Sequence, residues 1–522
     1  MDKKRWLNVV DMGIDTHQEL VVYMRADCHV CLAEGFSAST RVSVSDGTNT
    51  VTATINVVDI SSLGSGEVGL SKIAMRRLKV RSNDRVIIYH APVLNSLSAV
   101  RKKIYGHGLN KSEITDIIQD ISAHQYSDIE IASFLSVCAG SRMNLDEVIY
   151  LTQAMVKCGK RLTWPAKGRI YDKHCIGGIP GNRTTPLVVS IVSAAGLIIP
   201  KTSSRAITSP AGTADTMEAI TNVSLELFEM KRVVEETGAC IAWGGAVNLS
   251  PADDLLIRIE RALELDGEGQ LIASVLSKKI AAGSTHAIID IPVGDTAKVR
   301  SEVEADRLAS LFTRVGEACG IHIRCIITDG SHPIGSGIGP VEEAKDLIAV
   351  LQNKKDAPTE LRQRAVLLSA NLFDLSDGCG IEKGMSKANQ LIDNGSAWQQ
   401  FQKIVDAQGG FKSLPQAKYV HSELAHSSGV IQSIDNRKLA RLAKLAGAPF
   451  SPASGLRLHA NVGDFINSDQ ILFNLFCESN GEKDYALDFY QANQDMFNID
   501  NSKQVKSKDE KSRADTLKTG VK

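Results

Sequence analysis

Between Val42 and Val58 apolar residues alternate with Ser, Thr and Asn, the period-two pattern of half-buried strands. Gly64-Ser65-Gly66 interrupts the pattern, and Arg85–Tyr89 supplies a closing strand before Pro92. Residues 1–95 are therefore expected to form an N-terminal β-barrel-like domain. From Ser96 the period becomes helical. Ile114, Ile117, Ile118 and Ile121 share one face, and Ile129, Ala132, Phe134 and Leu135 make a second apolar stripe, with Ser127 and Asp128 as natural caps. Residues 96–162 read as a helical subdomain.

Over residues 163–417 short apolar runs alternate with helical stretches. The expected strands are Arg169–Cys175, Leu197–Lys201, Cys240–Trp243, His286–Ile291 and Ile321–Thr328; the helices between them include Thr184–Ala195, Thr213–Ile220 and Val341–Leu351. This alternation predicts an α/β domain with a parallel sheet covered on both faces, whose ligands sit at the carboxyl ends of the strands. Residues 418–500 return to strands, Gly429–Ile434 and Leu456–Val462, around a helix Arg437–Ala446, which predicts an α+β domain. The tail, 501–522, is rich in Lys, Ser and Asp and is expected to be disordered. The fold class is thus multidomain α/β.

Charge and composition narrow the function. The 522 residues carry 59 Lys plus Arg against 60 Asp plus Glu, a net charge of −1 that argues against a general nucleic-acid binder. No run of about 18 apolar residues suggests a membrane span, and the N-terminus lacks the apolar core of a signal peptide. Ten scattered cysteines fit a reducing compartment, so a cytoplasmic location is expected. Cys28-His-Val-Cys31 has metal-like spacing but no second pair, which leaves structural zinc a weak reading.

Three segments carry candidate chemistry. In Asp172-Lys-His-Cys-Ile-Gly-Gly-Ile-Pro-Gly-Asn-Arg-Thr-Thr185 a strand runs into a glycine loop and then a helix. Such a turn is either a tight connection or a cradle in which backbone N–H groups and a helix N-terminus meet an anion, with Lys173 as a point charge. Cys175 beside it is either reactive or simply buried. Lys201 to Glu218 repeats the arrangement, with Ser203, Ser204, Thr208, Ser209 and Thr213 as hydroxyl donors and Arg205 as a planar fork for phosphate. Here Thr213 or Asp215 could equally be helix caps. In the third segment Asp266 precedes a helix bearing Ser274 and Lys278, four apart on one face. Asp266 is either a surface-turn residue or, if buried, a general acid. A further loop, Thr328–Gly339, is glycine-rich and reads as a hinge or lid.

Lys173-His174 with its glycine loop, Ser204–Thr213 and Ser274-Val-Leu-Ser-Lys-Lys279 together resemble the signature elements of the thymidine and pyrimidine-nucleoside phosphorylases. The wording Gly-Ile-Pro-Gly-Asn-Arg-Thr-Thr and Ser-Arg-Ala-Ile-Thr-Ser is similar to the longer branch, which contains archaeal AMP phosphorylases and bacterial thymidine phosphorylase homologues and has an extra N-terminal domain. The resemblance spans Ser96 to Ile499. It implies phosphorolysis: orthophosphate attacks C1′ and releases the base plus a sugar 1-phosphate, with phosphate as co-substrate and no metal or redox cofactor. The leading expectation is thymidine giving thymine and 2-deoxy-D-ribose 1-phosphate. The alternative is a nucleoside 5′-monophosphate of the AMP type, giving ribose 1,5-bisphosphate.

Carried over by motif, the resemblance implies that Lys173, Thr213 and Ser203, Ser204, Arg205, Ala206, Ile207, Thr208 and Ser209 bind phosphate groups, and that Gly178 lies against the ligand. It implies that Asp266 donates a proton to the departing base, that Ser274 and Lys278 contact the base, and that Lys298 is a further ligand contact. His174 matches a histidine that assists the pyrimidine leaving group; a packed, hydrogen-bonded histidine is its alternative. One departure stands out: where the short pyrimidine enzymes place an arginine on the base, this chain has Ile259. The implied partners are a nucleoside or nucleotide and orthophosphate, with neither nucleic acid nor membrane, in a homo-oligomer. A magnesium-dependent phosphoribosyltransferase and a non-catalytic nucleotide sensor are the competing classes.

Overall fold

Six strands at the N-terminus, β1 (Trp6–Asp11), β2 (Val21–Arg25), β3 (Arg41–Ser45), β4 (Thr50–Val58), β5 (Glu67–Leu70) and β6 (Arg85–His90), close into a barrel of order β1-β5-β2-β4-β3-β6 in the computed structural model. The structure describes residues 6–164, 168–206, 209–247, 249–265 and 267–500. The Val42–Val58 alternation resolves into β3 and β4, antiparallel about a turn at Asp46–Asn49, with Val42, Val44, Ala53 and Ile55 pointing into the barrel core. β6 pairs with both β1 and β3 and closes the cylinder. The expected tail at 501–522 lies outside the described residues, as do Ile207, Thr208 and Asp266.

The chain divides into two compact units, Met1–Ala154 with Pro251–Gln270, and Met155–Ser250 with Leu271–Lys522. In the first, the helices Ser96–Ile104, Lys111–Ser122 and Asp128–Cys138 follow the barrel. All four isoleucines of the 114–121 face are fully buried. Ser127 caps the next helix in a reciprocal box with Glu130. Its buried stripe, however, is Ile131, Phe134, Leu135 and Cys138, while Ile129 is 79% exposed. Asp128 does not cap; it accepts a 2.7 Å bond from Arg258 on the helix Pro251–Leu263. That helix buries Leu255, Leu256 and Ile259. Its apolar face and this ion pair place Pro251–Gln270 with the first unit, although it falls inside the stretch 163–417 expected to form one domain.

The second unit is built on five parallel strands. β7 (Tyr171–Cys175), β8 (Ile199–Ser203), β9 (Ala239–Trp243), β10 (His286–Val293) and β11 (His322–Asp329) match the expected strands to within two residues at each end. β11-β10-β7 form one sheet and β8-β9 pair beside it, linked by a parallel bridge from Ile170 to Ile198. Apolar faces of the helices Thr184–Ala194, Pro340–Leu351, Thr359–Asp377 and Ser396–Ala407 build the main core against these strands.

Seven further strands follow: β12 (Gly337–Ile338), β13 (Tyr419–Leu424), β14 (Gly429–Ile434), β15 (Gly455–Leu458), β16 (Phe465–Ile466), β17 (Ile471–Cys477) and β18 (Phe497–Asp500). They form sheets β12-β15-β17-β13 and β16-β14-β18. The glycine-rich loop 328–339 therefore ends as a strand of this C-terminal sheet, and Arg457 of β15 binds Glu342 (2.6 Å) and Asp346 (2.9 Å) just beyond it. Its anchorage on both sides departs from the reading of a lid. Among the described residues no helix is long and apolar enough to cross a membrane.

Candidate active site

Strand alternation sorts the residues of β7 onto two faces. Lys173 and Cys175 point one way, Asp172 and His174 the other. Lys173 is fully buried, and its ammonium donates to the hydroxyls of Thr184 (2.8 Å) and Thr185 (3.4 Å) at the start of the next helix. Burial lowers its pKa, with Cys175 and Asp290 opposing the shift. The loop between them turns on Gly177, Gly178 and Gly181, with φ of +89°, +94° and +71°, values that glycine adopts without strain. A Cβ on Gly178 would sit 3.1 Å from the backbone nitrogen of Lys298, and one on Gly181 would sit 2.7 Å from that of Gly335. The glycine loop thus packs directly on the loops after β10 and β11. Arg437 donates to the carbonyl of Ala297 (3.2 Å) and fixes the Lys298 loop from the C-terminal side.

The second loop follows β8 and is tied to the first by a residue the motif reading did not single out. Arg183, the last residue before the helix, donates to the Thr213 hydroxyl (3.0 Å), the Ala211 carbonyl (2.8 Å) and the Glu343 carboxylate (2.6 Å). Glu343 also accepts from Thr216 (3.1 Å) and is fully buried, which raises its pKa against the pull of Arg183. Lys173 and Thr213, 40 positions apart in the numbering, are thereby connected through the adjacent residues Arg183 and Thr184. The presence of Arg183 in a glycine loop was visible; its partner, 160 positions away, was not.

Within the second loop Asp215 acts as a cap, accepting from the backbone N–H groups of Ala206 (2.6 Å) and Gly212 (2.8 Å). Gly212 is required for space, since a Cβ would lie 2.6 Å from the Ala206 nitrogen. Ser209 donates to the Ala211 carbonyl (2.9 Å), and the Ser204 carbonyl accepts from Ala214 (3.3 Å). Arg205, expected as a fork for phosphate, instead binds Glu218 through both terminal nitrogens and stacks 4.7 Å from the Trp243 ring. Ser203 ends β8 with its hydroxyl oxygen buried and without a hydrogen-bond partner among the described residues. A buried hydroxyl in that state is suited to a ligand oxygen.

On the other face, His174 lies in the field of Lys279, Lys201, Lys278 and Lys173, and burial together with these charges holds its pKa well below the ordinary histidine value. Ser274 and Lys278 are half-buried positions of the helix Glu268–Ala281, whose neighbours Val275, Leu276 and Ser277 are buried. His174 thus lies in the field of Lys278. Cys175 is half-buried, accepts from Asn182 (3.3 Å) and has its thiol pushed up to about 12 by desolvation and Asp290, which disfavours the nucleophilic thiolate. Ile259 is a buried core residue, and the fork of neighbouring Arg258 is occupied by Asp128. Among the described residues no group of three or more His, Cys, Asp or Glu is placed to hold a metal ion, the Cys28–Cys31 segment included.

Residues 97–159 match the helical bundle domain of the glycosyl transferase family, and residues 167–398 match its a/b domain. The chain is 50% identical over 487 residues to a protein of Acidovorax sp. (strain JS42) named "Putative thymidine phosphorylase 2", covering 93% of this chain and 95% of that one. It is 49% identical to a "Putative thymidine phosphorylase" of Hahella chejuensis (strain KCTC 2396), over 94% of this chain and 97% of the relative. Anthranilate phosphoribosyltransferase from Thermus thermophilus shares the fold of 59% of this chain, with a TM-score of 0.50 at 18% identity over 99% of that structure.

Proposed function

Because the chain belongs to the thymidine phosphorylase-like branch of the glycosyl transferase family and is a pentosyltransferase, we propose that it cleaves the N-glycosidic bond of thymidine with orthophosphate. The products are thymine and 2-deoxy-D-ribose 1-phosphate. One observation carries the reading. Two turns that follow neighbouring parallel strands are locked together by Arg183, which holds the Thr213 hydroxyl next to the helix start whose Thr184 takes the Lys173 ammonium, an arrangement suited to an oxyanion.

In this reading Lys173, Ser203 and Thr213 orient orthophosphate, with backbone N–H groups of the glycine loop adding to the cradle. Gly178 admits the sugar close to the backbone because it carries no side chain, and Lys298 lies beside it. Ser274 and Lys278 face the base from one helix. Asp266 supplies the proton that the base needs as it leaves. Phosphate attacks C1′, the glycosidic bond breaks, and the sugar keeps the phosphate.

A second reading, phosphorolysis of nucleoside 5′-monophosphates of the AMP type, is favoured by Ile259. The arginine that grips a pyrimidine in the short enzymes is replaced by a buried aliphatic residue, and Arg258 is committed to Asp128. Incubating the protein with thymidine, uridine, AMP and CMP, with and without phosphate, separates the two. Thymine release that requires phosphate supports the first reading; release of adenine alone supports the second. Base release that ignores phosphate means hydrolysis and rejects both.

A further inference from the structure

When the glycosidic bond breaks, its electron pair stays on the base nitrogen, while a lone pair from a phosphate oxygen forms the new C1′–O bond. A pyrimidine base is then an anion until a proton reaches it. Positive charge held nearby in a dry environment stabilises that state far more than charge in water does.

Such charge sits behind His174. Asp172, two residues earlier on the same face of β7, has one carboxylate oxygen 3.3 Å from the Lys201 ammonium on β8 and the other 2.9 Å from that of Lys279 on the helix Glu268–Ala281. All three side chains are at most 4% exposed. Two ammonium groups share one carboxylate, so the cluster has a surplus positive charge that no water screens. The groups on the His174 side are Asp172 from its own strand, Lys201 from β8, and Lys278 and Lys279 from the helix, with the Lys173 charge acting from the opposite face; its partner on β10 is the apolar Ile289.

We propose that Lys201 is a positioning residue for base departure: with Lys279 it holds a buried surplus positive charge across Asp172, keeps the His174 imidazole uncharged, and favours a pyrimidine that leaves as its anion. His174 then presents a ring N–H to the base and does not transfer a proton; protonation of the released anion falls to Asp266 or water. Burial and the neighbouring ammonium groups lower the pKa of His174, and burial with Lys279 lowers that of Lys201 to about 7, so the surplus charge is fullest below neutral pH. The inference rests on the phosphorolysis reading above and narrows its substrate class to pyrimidines.

The test measures kcat/KM for 5-substituted uridines and 2′-deoxyuridines, and their 5′-monophosphates, whose bases differ in acidity. Wild type is compared with Lys201→Met and Lys201→Arg. Lys201→Met leaves Asp172 paired with Lys279, so the fold is retained. The expected result is a loss of about tenfold or more for the least acidic base and little for the most acidic. The dependence on base acidity then steepens, the KM for phosphate stays put, and Lys201→Arg restores the shallower slope. An equal loss for every base, or none, overturns the proposal. Phosphate-dependent turnover of AMP with no pyrimidine substrate also overturns it, while leaving the phosphorolysis reading intact. Nitrogen-15 spectra of His174 in the wild type give an independent check: a neutral ring from about pH 6 to 8 is expected, and an imidazolium in that range contradicts the proposal.

Discussion

The Arg183 guanidinium donates a 3.0 Å hydrogen bond to the Thr213 hydroxyl, and so joins the turn after β7 to the turn after β8. The same guanidinium donates a 2.6 Å hydrogen bond to the buried Glu343 carboxylate. The hydroxyl of Thr213 is therefore oriented by an acceptor role that leaves its proton for a ligand. A buried ion pair here sets the spacing of two loops, which is a task distinct from raising stability.

Arg183→Met leaves Glu343 buried without its counter-charge. It is expected to cost about 3–5 kcal/mol of stability. Glu343→Gln keeps a hydrogen-bonding partner, and is expected to destabilise less while raising the KM for phosphate. Thermal melts combined with phosphate-dependent initial rates distinguish the two effects.

Lys173→Met removes the cation of the first loop but leaves Thr184 bonded to Asn182 (3.0 Å). The fold is expected to persist, with kcat/KM for phosphate reduced by about 10²–10³. Full phosphate affinity in this variant, measured by calorimetry, would show that Lys173 does not grip the anion.

Gly178→Ala places a Cβ at φ +94° and 3.1 Å from the Lys298 nitrogen. Left-handed strain alone costs about 1–2 kcal/mol. The expected outcome is a lower melting temperature and a raised KM for the sugar-bearing substrate, with the KM for phosphate moving less.

Much of this architecture was legible because short apolar runs between helices mark the strands of a covered parallel sheet. β10 shows this most plainly, buried continuously from Ala287 to Pro292. Legibility failed where a decision rested on partners far along the chain. The neighbourhood of Ile131 and Ile129 is equally apolar in sequence, and only packing buries the first and exposes the second. Pro251–Gln270 carries an ordinary amphipathic pattern, and nothing local tells which unit its face seals. Arg205 looked like a phosphate fork because its loop is rich in hydroxyls, yet Glu218 lies one helical turn beyond Asp215 and takes the guanidinium. Asp172, Lys201 and Lys279 each read as an ordinary charge at a strand or helix position; their union needs the β7–β8 register and the covering helix.

Lys201 also carries a pH signature in stability. Burial and Lys279 hold its pKa below the ordinary lysine value, against the attraction of Asp172. The unfolded chain therefore binds this proton more tightly than the folded one. The resulting cost is largest at low pH, where the buried amine is charged, and fades as pH rises toward the ordinary lysine value of about 10.4. Wild type is expected to gain stability relative to Lys201→Met as the pH is raised from about 7 to 9.5. Parallel pH dependences in chemical denaturation would contradict the buried, strained charge.

Phosphate as the nucleophile is tested most directly by oxygen-18. Turnover of the preferred nucleoside or nucleotide with fully labelled orthophosphate, in the presence of EDTA, should give a sugar 1-phosphate that retains all four labelled oxygens, one of them bridging to C1′. Free sugar with unlabelled oxygen at C1′, or turnover that requires magnesium and a pyrophosphoryl sugar, would contradict the account.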